Sequence, residues 1–287
     1  MNATQFADIP TGLTGYERCN AVILPVPYEH TTCHVKGTTA GPQAILNASQ
    51  EIELFDEKLG REVYQDMRLY TAPFVKIDCH SQPFLAKLEA IVAEHLENNK
   101  LVVTLGGEHT VTIAAVRAYT RKYSHMAVLQ IDAHADLRDS YQGDPYSHAC
   151  TMRRVLDHAP LYQVGIRSLT KEEFSLIESG AVSTLFSHNL SRQAINHFVA
   201  ALPEELYITI DMDGFDPAVV PGVGTPEPGG LTWDLADYLL DLISQQCSIR
   251  GFDVVELRPL PGEVRSEVTA ARLIYRILGY MARRRNQ

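Results

Sequence analysis

The sequence predicts an α/β fold built on a central, mostly parallel sheet, and three observations carry the prediction. Short apolar runs recur along the chain, helix-compatible stretches separate them, and the runs are near-continuous, as in Ala127-Val128-Leu129. Strands alternating with helices imply parallel strands joined by crossovers. Near-continuous apolar strands fit a sheet covered on both faces.

Ala21-Val22-Ile23-Leu24 is the first strand and stops at Pro25-Val26-Pro27. Leu101-Val102-Val103-Thr104-Leu105 ends at Gly106-Gly107, ahead of a helical pattern from about Thr110 to Tyr119. Met126 to Ile131, Leu161 to Ile166 and the shorter Ala181 to Phe186 follow, then Tyr207-Ile208-Thr209-Ile210 and Gly251 to Val255. Between the last two, Leu235, Leu239, Leu240 and Ile243 recur at helical spacing over Thr232 to Ser244. Glu267 to Ala282 does the same and runs into Arg283-Arg284-Arg285. The Pro/Gly-rich stretch from Pro217 to Gly230 reads as a long loop inside the fold, because alternation resumes beyond it. With no repeat, low-complexity tract or linker, one domain over residues 1–287 is expected.

At 45% hydrophobic and 21% charged, the 287 residues have the make-up of a globular protein able to bury a large core. A formal charge of −10 argues against nucleic acid and anionic membrane as partners and favours cationic ones. The five cysteines (Cys19, Cys33, Cys79, Cys150, Cys247) are odd in number, widely spaced and form no C-x-x-C pair. That pattern suits neither a disulfide scaffold nor a zinc ribbon. Met1 to Asp8 lacks the basic and apolar segments of a secretory signal, and no apolar run approaches the ~20 residues of a membrane helix. A cytoplasmic, reducing setting is expected.

Ligands in open α/β sheets gather at the carboxyl ends of strands. There the chain carries Asp132-Ala133-His134-Ala135-Asp136, Asp211-Met212-Asp213 and, past the glycine turn, His109. If the chain stays extended, Asp132, His134 and Asp136 share one face. Four clustered carboxylates repel unless cations neutralise them, and two divalent ions would balance them formally. Oxygen and imidazole donors without thiolate point to a first-row metal such as manganese. A solvent molecule shared by two ions becomes a nucleophile near neutral pH, so the residues point to a two-metal hydrolase. The bland readings are that Asp-x-Asp caps a turn and that His109 merely starts a helix. The other histidines (His30, His34, His80, His95, His125, His158, His188, His197) read as surface or packing residues. Gly106-Gly107 lacks the fuller pattern of a nucleotide cradle.

These motifs resemble the ureohydrolases, the family of arginase and agmatinase. Gly106-Gly107-Glu108-His109, Asp132-Ala133-His134-Ala135-Asp136-Leu137-Arg138 and Asp211-Met212-Asp213-Gly214-Phe215-Asp216-Pro217 resemble its three signatures. Gly222 to Gly230, Asp253-Val254-Val255-Glu256 and Gly37-Thr38 through Ile45 resemble further family segments in the same order. The resemblance implies an arginase-type three-layer α/β/α sandwich and two Mn2+ per chain held by His109, Asp132, His134, Asp136, Asp211 and Asp213. Asp132 and Asp211 would bridge the ions, with Ni2+, Co2+ and Zn2+ as alternatives. A bridging hydroxide would attack the guanidinium carbon, Asp136 would pass the proton to the departing amine, and urea and an amine would leave.

Glu256 matches the carboxylate that pairs with the guanidinium, against the plainer reading of a salt bridge to Arg258. His148, in Tyr146-Ser147-His148-Ala149, matches the family's loop histidine, which shuttles protons or positions substrate; many agmatinases carry Gly where Ala149 stands. Leu137-Arg138 is the agmatinase-like pattern where arginases carry x-Asn. Agmatine, yielding putrescine and urea in polyamine biosynthesis, is the substrate this implies. Guanidinobutyrate, guanidinopropionate, guanidine, arginine and formiminoglutamate are the alternatives, and a non-catalytic homologue is disfavoured by the complete ligand set. The resemblance also implies a homo-oligomer, a trimer or hexamer.

Overall fold

A computed structural model describes residues 4–10 and 12–285. Met1 to Ala3, part of the N-terminal reading above, lie outside the described residues. Among the described residues ten strands form: β1 Ala21–Val26, β2 Phe55–Asp56, β3 Arg61–Glu62, β4 Leu69–Thr71, β5 Leu101–Gly106, β6 Ala127–Ile131, β7 Leu161–Val164, β8 Ser183–Leu185, β9 Glu205–Asp211 and β10 Ser248–Val255. The helices are α1 Gly41–Ala48, α2 Val63–Asp66, α3 Ser81–Glu97, α4 Val111–Lys122, α5 Thr151–Val155, α6 Lys171–Glu178, α7 Arg192–Ala200, α8 Trp233–Gln246 and α9 Arg265–Arg285. Eight strands make one sheet in the order β4-β1-β5-β10-β9-β6-β7-β8, every pair parallel. The pair β2 and β3 is a small antiparallel hairpin apart from it.

Strand side chains alternate between two cores, as the period of two requires. Ile23, Val103, Leu129 and Ile208 face one core with residues of α1, α7, α8 and α9. Val22, Val102, Val128 and Tyr207 face the other with residues of α3, α4, α5 and α6. Helices therefore cover both faces, giving the expected three-layer sandwich. An irregularity between Ile249 and Gly251 shifts the β10 register, so Ile249 and Phe252 share a face despite their odd separation. β10 lies at the centre of the sheet, between β5 and β9.

Candidate metal centre and active site

Four adjacent central strands deliver the chemistry, because their register brings the carboxyl ends level. Leu105 lies beside Val254, Val254 beside Ile210, and Ile210 beside Ile131. His109 and Glu256, 147 positions apart, therefore touch: the His109 N–H donates to Glu256 Oε1 at 2.7 Å. The turn after β5 needs glycine at 107, where a Cβ would stand 2.1 Å from the Tyr28 carbonyl oxygen. Gly107 donates to the Val26 carbonyl and accepts from the Glu256 N–H. The glycine pair thus serves close approach of backbones.

The segment from Asp132 to Asp136 does not stay extended. β6 stops at Ile131, and Asp136 adopts φ 53°, the left-handed region; Glu256 does likewise at 60°. Such backbone costs on the order of 1–3 kcal/mol for a non-glycine residue and collects at functional sites. The three alternate residues meet through a turn rather than a continued strand.

His109 Nδ1 faces Asp132, Asp136 and Asp211 at 3.2, 3.1 and 3.5 Å. His134 Nδ1 stands 3.0 Å from Asp213 and 3.7 Å from Asp132. Two donor groups result, His109 with Asp132 and Asp211, and His134 with Asp132 and Asp213, each set of atoms within 4.8 Å. Asp132 belongs to both. Asp211 fulfils the bland reading as well: Oδ1 accepts from the Asp213 N–H at 2.9 Å and caps the next turn, while Oδ2 faces His109.

This donor set fits divalent cations. His109 Nδ1 is buried without a hydrogen bond although three carboxylates surround it. Its Nε2 lies 2.9 Å from Thr209 Oγ1, and that hydroxyl gives its one proton to Asp253 Oδ1 at 2.6 Å. Thr209 can then only accept, so the imidazole proton sits on Nε2 and Nδ1 turns a lone pair to the carboxylates. Other polar groups hold the acids in place. Gln130 donates to Asp132 at 2.6 Å, Gln163 donates to Gln130, and Thr225 donates to Asp213 at 3.0 Å.

Without a cation the cluster is electrostatically strained. Burial, with repulsion from Asp213, pushes Asp132 up to about 7. Burial, with Asp213 and Asp132, pushes Asp211 well up. Burial opposes charge on Asp213 and on both histidines, but their mutual pairing wins. His134 holds Asp213 below the carboxylate range, Asp213 raises His134 to about 11, and the carboxylates raise His109.

A cavity of about 210 Å³ opens over these groups, lined inside by His109, His134, Asp136, Asp211, Asp213, His148 and Glu256. Glu256 is buried, and burial with repulsion from Glu108 pushes its carboxyl well up. Among the described residues no cation pairs with it. Arg258, the partner in the plainer reading, instead donates to the Lys36 carbonyl at 3.0 Å. The same wall includes Thr32 to Val35, Arg138, Tyr141, Gly224 and Thr225. The Arg138 guanidinium lies 5.1 Å from the centre of the Tyr141 ring, and Tyr141 meets His148 edge-on at 5.8 Å.

His34, read from the sequence as a surface or packing residue, belongs to the cavity wall, because the loop after β1 folds over the centre. The roles of Thr209, Asp253 and Gln130 escape the sequence reading too; their polarity within apolar strands is the signal that could have flagged them.

A sequence profile described as the arginase family matches residues 19–279. The N(1)-aminopropylagmatine ureohydrolase of Synechocystis sp. is 40% identical over 281 residues, covering 93% of this chain and 91% of that protein. The agmatinase of Bacillus cereus is 32% identical, covering 85% and 86%. The agmatine ureohydrolase of Thermoplasma volcanium superposes with a TM-score of 0.88 at 29% identity, over 98% of this chain and 95% of that one.

Proposed function

The chain belongs to the arginase family and is a ureohydrolase; from that premise we propose that it releases urea from an agmatine-type amine. The candidates are agmatine, with putrescine as co-product, and its N1-aminopropyl derivative, with the matching polyamine. The convergence of four aspartates and two imidazoles beside the unpaired Glu256 carries the reaction class. Identity of 40% to an aminopropylagmatine enzyme, against 32% to agmatinases, supports the amine tail and sets the aminopropyl derivative beside agmatine.

In this reading His109, Asp132, His134, Asp136, Asp211 and Asp213 would hold two Mn2+. Bound there, the pair would offset the carboxylate charge and supply the Lewis acidity that makes water nucleophilic near neutral pH. A donor set of oxygen and imidazole without thiolate supports a first-row divalent metal, and the choice of manganese among them rests on the family. Glu256 binds the planar guanidinium through paired charge-assisted hydrogen bonds. Asp136, held at the cavity wall, takes the proton of the attacking water and returns it to the amine as the C–N bond breaks. His148 faces the same cavity and exchanges protons there. No described helix is long and apolar enough to cross a membrane. A cytoplasmic homo-oligomer acting on a small cationic guanidino compound completes the proposal.

A second reading rests on Arg138, a cation on the cavity wall with no carboxylate partner among the described residues. It would suit a guanidino acid such as guanidinobutyrate. Urea release after manganese loading separates the two. The panel is agmatine, aminopropylagmatine, guanidinobutyrate, guanidinopropionate, arginine, guanidine and formiminoglutamate. Turnover of an amine-tailed compound is expected; turnover confined to carboxylate-tailed ones would overturn the amine assignment. Elemental analysis of protein purified without added metal should return two manganese per chain, and a single ion would contradict the paired centre.

A further inference from the structure

We propose that Thr31, locked by the buried Glu108, fixes the tautomer of His148 with its proton on Nδ1, leaving Nε2 as the one nitrogen that exchanges protons in the cavity. This deepens the functional reading above and rests on it for the role of His148, though the tautomer itself does not.

Glu108 is completely buried beside the centre, yet the proposed reaction does not use it. Its four hydrogen bonds explain its presence. Oε2 accepts from the backbone N–H groups of His30 and Thr31 at 2.5 and 2.7 Å. Oε1 accepts from the hydroxyls of Thr31 and Thr110 at 2.9 and 2.7 Å. Four donors around one carboxylate leave it acceptor-only. The single hydroxyl proton of Thr31 is therefore committed to Glu108, and Thr31 Oγ1 can only accept from its other neighbours.

Both of those neighbours belong to His148. The His148 backbone N–H donates to Thr31 Oγ1 at 2.9 Å, and His148 Nδ1 lies 3.1 Å from the same oxygen. An unprotonated Nδ1 would set a lone pair against an oxygen that has no proton to give. A protonated Nδ1 makes a hydrogen bond instead. Ser147 Oγ, 3.3 Å from Nδ1, could donate to it and favour the opposite tautomer. The closer Thr31 contact decides, because its acceptor role is fixed by Glu108 while the serine hydroxyl is free to rotate. With the proton on Nδ1, the neutral ring presents a lone pair at Nε2 and the charged ring presents a donor there. The imidazole can thus cycle between base and acid without turning over. On that side Cys33 Sγ lies 3.5 Å from Nε2, its one hydrogen-bonding neighbour among the described residues. Thr31 is a positioning residue, and the same Thr-to-carboxylate device orients His109 through Thr209 and Asp253.

The test is 15N-histidine NMR of the full chain, metal-free and with Mg2+, with the His148 signals assigned by their loss in His148→Gln. The neutral ring should show its proton on Nδ1 in the wild type, in Thr31→Ser and in Ser147→Ala, and lose that preference in Thr31→Val. In urea release, Thr31→Val should lower kcat about tenfold or more, with KM changed less than about threefold, while Thr31→Ser recovers most of the rate. A wild-type His148 protonated on Nε2, or a Thr31→Val spectrum equal to that of the wild type, overturns the proposal. So does a Ser147→Ala change that matches Thr31→Val. If the wild type released urea from no guanidino compound, the proposed function would fail, and the NMR result would still decide the tautomer.

Discussion

At the scale of single residues, the aspartates and histidines of the centre were legible because acids at alternate spacing after apolar strands have few packing uses. Asp136 is the sharpest test among them. Asp136→Asn keeps the shape but removes a charge and a proton acceptor, so kcat should fall at least about 100-fold. Near wild-type turnover would remove Asp136 from both its metal and its proton-transfer role. Glu256→Gln keeps the hydrogen bond from the His109 N–H but loses charge complementarity to a guanidinium. A loss of kcat/KM of roughly 10- to 100-fold is expected, the equivalent of one charge-assisted hydrogen bond. The roles of Thr31, Thr209 and Glu108 were not legible. A threonine hydroxyl acquires a role only from which atom lies 3 Å away, and their partners come from other strands and loops.

At the scale of elements, the seven strands read from apolar runs all form, with ends shifted by a few residues. β4 and the β2–β3 hairpin, two or three residues per strand, are too short to show a period. α3 is absent from the sequence reading although Phe84, Leu85, Leu88, Val92 and Leu96 recur at helical spacing and are buried. α8 and α9 have a junction that the sequence did not show. Asp241 of α8 pairs with Arg283 of α9 at 2.6 Å and with Lys58, in the turn of the hairpin, at 2.9 Å. Burial raises the Asp241 carboxyl, but hydrogen bonds from Arg283 and Lys58 outweigh it and hold it at about 2. A depressed carboxyl stabilises the fold fully above its unfolded value, about 3.9, and loses that contribution as pH falls toward 2. Asp241→Asn should therefore lower stability at pH 7 and converge with the wild type near pH 2. A difference that stays constant with pH, in parallel denaturant titrations, would refute the clamp.

At the scale of the whole molecule, the proposed metal centre predicts that folding is tied to metal. Four aspartates crowd the ends of central strands, so removing cations leaves Asp132 and Asp211 pushed up by burial and mutual repulsion. Ligands that bind the folded state a hundredfold above Kd add about 2.7 kcal/mol, so chelation should lower Tm by roughly 5 °C or more. Equal Tm with and without Mn2+ would count against a metal held by these six residues. The net charge of −10 argues against little beyond polyanionic partners, and it is the motifs that single out which acids matter. By itself, the sequence determined the layered α/β class, the family and the residue types of the centre, because apolar period and rare ligand spacing are local signals. Only the tertiary structure decided the strand order that sets β5, β10, β9 and β6 side by side. It also decided the left-handed turns at Asp136 and Glu256, the loop that carries Thr31 to His148, and the freedom of Glu256 from Arg258. Those features depend on register and close approach between distant segments, which no local pattern encodes.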